Sequence, residues 1–178
     1  MNKTLFSSIC LILLCIVVIH PVFATVIQSR YVTLQYSGKR MLREFDNKLI
    51  MGRKLSAMMR IKNVDTVEDE VIAKVSLIVE KTEVVLDMFP DKMHLTLVLL
   101  PDADAVAEKF KQTYGKHQED IAYYSLSEKT IYMSVDDTNL RVLAHEMGHA
   151  VVDRYFKVRP PYRIHELMAQ FAEKHITD

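Results

Sequence analysis

Between Pro90 and Pro101 the chain runs Met93-His94-Leu95-Thr96-Leu97-Val98-Leu99-Leu100. The run is too short for a helix held between two prolines and too apolar to face water. It reads as a buried strand, which needs cover on both faces. The flanking segments supply that cover. Thr66 opens a helix, with Asp69 three residues on as its capping partner. Its apolar stripe is Val71, Val75, Ile78, Leu86 and Phe89, and Pro90 closes it. After the strand, Asp102 caps a short helix through Ala105, Val106 and Phe110, which Gly115 ends. Segments 121–125 and 130–135 flank the turn Ser127-Glu128-Lys129 and read as a hairpin. Upstream, 26–36 reads as one strand with Val32, Leu34 and Tyr36 on one face. Met41, Phe45 and Leu49 then recur every four residues, as on a helix. Two helices close the chain, 138–156 and 162–176, separated by Arg159-Pro160-Pro161. No Gly/Ser-rich linker divides the chain. The expected fold is a single compact α+β domain, with a small mixed sheet and an edge hairpin packed on helices.

Charge and composition narrow the function classes. With 23 basic and 23 acidic residues the net charge is zero. Nucleic-acid binding through bulk positive charge is therefore not expected. Hydrophobic residues make up 49% of the chain, too many for a disordered charged tail. Residues 1–24 stand apart. Lys3 is their only charge, an apolar run follows from Ile9 to Ile19, and His20-Pro21 precedes Val22-Phe23-Ala24. These are the parts of a secretory signal peptide, with cleavage expected after Ala24. The apolar run falls short of the roughly 20 residues of a membrane span. The expected product is a secreted or periplasmic domain over 25–178, with no stable membrane span once the signal is removed. Cys10 and Cys15 both lie in the segment to be removed. The domain would then rely on its core or on a metal in place of disulfides.

The chemistry concentrates in His145-Glu146-Met147-Gly148-His149. Residues four apart on a helix share one face, one turn apart. Two imidazoles so placed can converge on one cation. Glu146 projects about 100° round the helix from His145, able to reach a water beside the ion without binding it. Leu140, Leu143, Met147 and Val151 give the helix a separate apolar stripe. A catalytic zinc needs a third protein ligand and an open position. Asp153 lies about 12 Å along the axis from His145 at 1.5 Å per residue, out of reach of the same ion. The next helix offers His165 and Glu166, about 100° apart, of which one would bind.

The order His145-Glu146-Met147-Gly148-His149-Ala150, a double-proline break, then His165-Glu166-Leu167-Met168-Ala169-Gln170-Phe171 resembles the gluzincin metallopeptidases of the peptidase MA-like group. The strands before the motif follow the same order, so the likeness spans about residues 67–176. The resemblance implies a zincin-like domain, with an active-site helix followed by a C-terminal ligand-bearing helix. It implies one Zn2+ held by His145, His149 and Glu166, with His165 beside the ligand as an outer or rim residue. Leu167 stands where the group often has Gly. The resemblance also implies that extended substrate pairs with the sheet's edge strand, expected at 130–135.

The function expected is an exported zinc-dependent peptidase acting on a peptide or protein substrate. Glu146 is the general base for a metal-activated water and returns the proton to the leaving nitrogen. Tyr155, Tyr162 and His165 are candidates to stabilise the oxyanion. Asp153 is a candidate to orient a ligand histidine, or else to pair with Arg154 or Arg163. Residues 25–62 are the stretch available to cover a cleft. The alternative is a non-catalytic, zinc-stabilised exported binding protein. Glu146 argues against it, because a structural site has no use for a base beside the metal. An exported adaptor whose partner fills the groove is a third reading.

Overall fold

The apolar run between the prolines is the central strand of the sheet. The protein is described by a computed structural model covering residues 25–62 and 64–178. The expected signal peptide, 1–24, lies outside the described residues. Five strands are arranged in the order β1-β2-β3-β5-β4. They are β1 (Thr25–Gln28), β2 (Val32–Tyr36), β3 (Leu95–Leu100), β4 (Ala122–Ser125) and β5 (Thr130–Ser134). β2, β3 and β5 run parallel, while β1 and β4 join antiparallel at the two edges. Six helices complete the domain: α1 (Gly38–Lys48), α2 (Gly52–Met59), α3 (Val67–Leu86), α4 (Ala103–Tyr114), α5 (Leu140–Tyr155) and α6 (Tyr162–His175). The fold is of the α+β class, with one mixed sheet in a single domain.

Alternation along the strands divides the core. Leu95, Leu97 and Leu99 of β3 join Val32, Leu34, Ile131 and Met133 on one face, packed against Val71, Val75 and Ile78 of α3 and Leu143 and Met147 of α5. The opposite face is smaller. Val98, Leu100, Tyr123 and Tyr132 meet Val106 and Phe110 of α4 there. Two-faced burial explains why β3 reads as an unbroken apolar run.

Local signals set the helix ends. Thr66 and Asp69 form a reciprocal capping box at the start of α3. Asp102 caps α4 through the Ala105 N–H at 2.8 Å, and Gly115 ends it with φ 67°. The start of α5 is fixed by Asn139, whose Oδ1 accepts from the N–H groups of Arg141 and Val142 at 2.9 and 3.1 Å.

Three expectations need correction. Segment 26–36 is two antiparallel strands. Ser29 Oγ accepts from the N–H groups of Tyr31 and Val32 and reverses the chain between them. Helix α2 leaves Arg53 and Lys54 in solvent and buries Leu55. Phe89 lies beyond the end of α3 and is 57% exposed, so it is not part of that helix's stripe. The strand 130–134 is interior, paired with β3 on one side and β4 on the other. The edge beside it is β4, because the parallel partner β3 already occupies the outer hydrogen bonds of β5.

Candidate metal centre

α5 is the most buried helix of the site. Leu140, Leu143, Met147 and Val151 are all buried, as their spacing requires. His145 and His149 leave this stripe on a neighbouring arc and turn towards α6. Their Nε2 atoms are 3.2 Å apart. α6 brings Glu166 against both, with one carboxylate oxygen 3.4 Å from His145 Nε2 and the other 3.4 Å from His149 Nε2. Among the described residues, His145, His149 and Glu166 form a cluster able to hold a metal ion. These are the three side chains expected to converge, and the structure brings them together.

The donor set fits a small divalent ion. Two ligands on a tetrahedral zinc, each about 2.0–2.1 Å away, stand about 3.3–3.4 Å from one another. The observed separations match such an edge. Burial holds the His149 imidazole down to about 3, reinforced by His145, His165 and Arg159, so it is neutral at any ordinary pH. Neutral imidazole is the ligand form.

The outer nitrogens explain how the rings are held. His145 Nδ1 lies 3.1 Å from Glu173 Oε2, and His149 Nδ1 lies 2.8 Å from His165 Nδ1. For both Nε2 lone pairs to face the ion, both Nδ1 atoms must carry hydrogen and donate outward. His165 Nδ1 is then an acceptor, with its own hydrogen on Nε2. That Nε2 is buried without a partner among the described residues. Burial also lowers the His165 pKa, with Arg159 adding to the effect, which keeps this ring neutral. His165 is 2% exposed and stacks on His149 with ring centroids 5.0 Å apart. It belongs beneath the site and is no rim residue.

Glu173 was missed in the sequence. The signal was present: it lies seven residues after Glu166, two turns along the same face of α6. Asp153 orients no ligand. Its Oδ2 accepts from the Tyr124 hydroxyl at 2.8 Å and from Lys129 Nζ at 2.7 Å, tying the β4–β5 hairpin to α5.

Glu146 is 7% exposed, and burial pushes its carboxyl up to about 8. A hydrogen bond from the Tyr124 backbone opposes the shift, while Asp120, Glu166 and Glu173 add to it. A carboxyl poised near neutrality suits proton transfer in both directions. It lines a cleft of about 490 Å³ with His145, His149 and Glu166. Ala122, Tyr123 and Tyr124 of β4 form one wall, with Phe110 and Tyr114 behind them. Arg159 and Tyr162, where the chain enters α6, form a lip of the cleft. Of the three oxyanion candidates, Tyr162 and His165 line the cleft, whereas Tyr155 does not. None of residues 25–62 lines it, so the N-terminal part of the domain is no cover.

The two helices meet through small residues. A Cβ built on Gly148 would stand 2.8 Å from Ala169 Cα and 3.2 Å from Ala172 Cβ. Close approach of the backbones is what brings Glu166 and Glu173 within reach of the histidines.

Compared with family models, curated proteins and solved structures, the chain finds no significant match in any of the three.

Proposed function

We propose that the protein is an exported zinc-dependent peptidase, similar in its site to the gluzincins. The observation that carries this reading is the convergence of His145 Nε2, His149 Nε2 and the Glu166 carboxylate beside the buried Glu146. When bound, zinc supplies Lewis acidity, polarising a carbonyl and acidifying water. Everything else falls to the chain. Glu173 and His165 hold the two ligand rings. Glu146 takes a proton from water and delivers it to the leaving nitrogen. Arg159 and Tyr162 also line the cleft and are the side chains we assign to meet charge growing on the substrate carbonyl oxygen. β4 is an edge strand with no further strand on its outer side among the described residues, which is where extended polypeptide could add by strand pairing. An edge strand beside the cleft favours a peptide or protein substrate over a small molecule.

Two measurements test the reading together. Metal analysis of the purified protein should give one zinc per chain. Hydrolysis of quenched-fluorescence peptides should vanish with chelator, return with zinc, and be lost in Glu146→Gln, which keeps the fold and the metal. Zinc uptake with no cleavage of any peptide would leave a zinc-stabilised binding protein and sink the peptidase. Absence of zinc uptake would sink both.

A further inference from the structure

The connection from α5 to α6 is strongly basic. Residues 154–164 read Arg-Tyr-Phe-Lys-Val-Arg-Pro-Pro-Tyr-Arg-Ile, with four cations and no anion. Apolar side chains stand out between those cations. Val158 is 85% exposed and Tyr162 73%, while Tyr155 and Ile164 are each a little under half exposed. The stripe continues along α6 through Leu167 and Phe171, three and seven residues after Ile164 on one helical face and both about half exposed. The base of the segment is anchored, since the Arg154 guanidinium donates to the His94 carbonyl at 2.8 Å. Among the described residues, no ion pair involves Lys157, Arg159 or Arg163.

We propose that this lip docks the protein on an anionic lipid bilayer. A valine so exposed protrudes and lines no groove. A protein partner would need a matching cavity for it, whereas the headgroup region of a bilayer accepts protruding apolar and tyrosine side chains without one. The surrounding Arg and Lys pair with anionic headgroups. The lip's charge is of one sign although the chain as a whole is neutral, so the attraction is local and oriented. Arg159 and Tyr162 belong both to the lip and to the cleft wall, so docking sets the mouth of the cleft at the bilayer surface. The proposal goes beyond the peptidase reading and does not depend on it.

Co-sedimentation of the full-length, metal-free chain with vesicles tests it. One vesicle is phosphatidylcholine, the other phosphatidylcholine mixed two to one with phosphatidylglycerol. Lys3, the apolar stretch 9–19 and the basic residues of 52–62 are the same in every variant, so the differences between variants isolate the lip. Binding should be stronger on the anionic vesicle and weaken as salt rises. Each cation near such a surface is worth about fivefold in partitioning, so the double variant Lys157→Glu, Arg163→Glu should lose at least about 25-fold. Val158→Asp should weaken binding with no change in the circular dichroism spectrum, because its side chain touches nothing that folds the domain. Equal binding to both vesicles overturns the proposal, as does anionic binding that both variants retain. Binding to polyglutamate without vesicle binding would overturn it in favour of an acidic polypeptide partner. A dimer in sedimentation velocity that Val158→Asp dissociates, again without vesicle binding, would assign the face to a second copy.

Discussion

Substituting Gly148 with Ala tests the geometry of the site without touching a ligand. Gly148 has an ordinary helical φ, so its value lies in space alone. The added methyl would stand 2.8 Å from Ala169 Cα, where ordinary contact starts at 3.4 Å. α6 must therefore retreat by at least about 0.6 Å, because the atom in the way is backbone and cannot swing aside. His145 and His149 ride on α5 with Gly148 and keep their spacing. Glu166, Glu173 and His165 ride on α6 and move away together. Metal-ligand distances tolerate about 0.2 Å. The retreat also opens the outer contacts of 3.1 and 2.8 Å that hold the two rings.

Two opposing effects set the size of the stability change. Gly→Ala in a helix interior is worth about 1 kcal/mol in favour of the variant. Overpacking a close contact costs about 1–3 kcal/mol. Urea denaturation of the metal-free protein should thus show a net loss of up to about 2 kcal/mol. Competition with a chromogenic chelator should show zinc affinity lower by about 10- to 100-fold, the usual consequence of disturbing outer contacts. Asn139→Ala is the control. It removes the cap of α5 and costs about 1 kcal/mol, yet leaves the α5–α6 contact alone, so zinc affinity should hold. A Gly148→Ala protein as stable as the parent and equally tight for zinc would refute the argument that backbone proximity builds the site.

Further outcomes follow from the same contacts. His165→Phe keeps the ring stack but removes the acceptor for His149 Nδ1, and should weaken zinc about 10- to 100-fold by chelator competition. His165→Asn, which can accept at the same place, should restore most of the affinity, and failure of that rescue would make His165 a packing residue only. Glu173→Ala should lose affinity where Glu173→Gln, still an acceptor, keeps it. In the metal-free protein, folded Glu146 holds its proton up to about pH 8 while the unfolded chain releases it near 4.5. Stability should therefore fall as pH rises across that window, by at most about 1.4 kcal/mol per unit, and Glu146→Gln should flatten the curve. Parallel pH–stability curves for the two proteins would show that the carboxyl is not desolvated.

Most of the helices and the buried strand were legible because each announces itself locally. Thr66 with Asp69, Asp102 with Gly115, and the apolar octet between prolines are short-range signals. The H-E-x-x-H spacing is equally local, and it fixed the helix and two of the convergent donors. The errors arose where a partner elsewhere in the chain decides. The turn at Ser29 depends on a side chain capturing two backbone groups. Which arm of the 121–135 hairpin lies at the edge depends on where β3 pairs, and alternation within the arm is blind to that. Asp153 was judged by its distance along α5 and its basic neighbours, yet Tyr124 and Lys129 reach it from the hairpin.

The residues that decide the site's dimensions are the least polar ones in it. His165, Ala169 and Ala172 form the buried face of α6, and Ile176 just past its end continues it. Its two alanines lie against the one glycine of α5, which lets the helix backbones come within contact distance. Glu166 and Glu173 flank that face two turns apart, so both carboxylates reach across to histidines on α5. Had position 148 or 169 carried a larger side chain, the same ligand residues would sit on helices too far apart to share one ion. A search by ligand type finds His145, His149 and Glu166. The requirement that they meet is written in Gly148, Ala169 and Ala172, whose contribution is the space they leave empty. Sequences that keep the three ligands but enlarge those small residues should therefore lose the metal while keeping the motif.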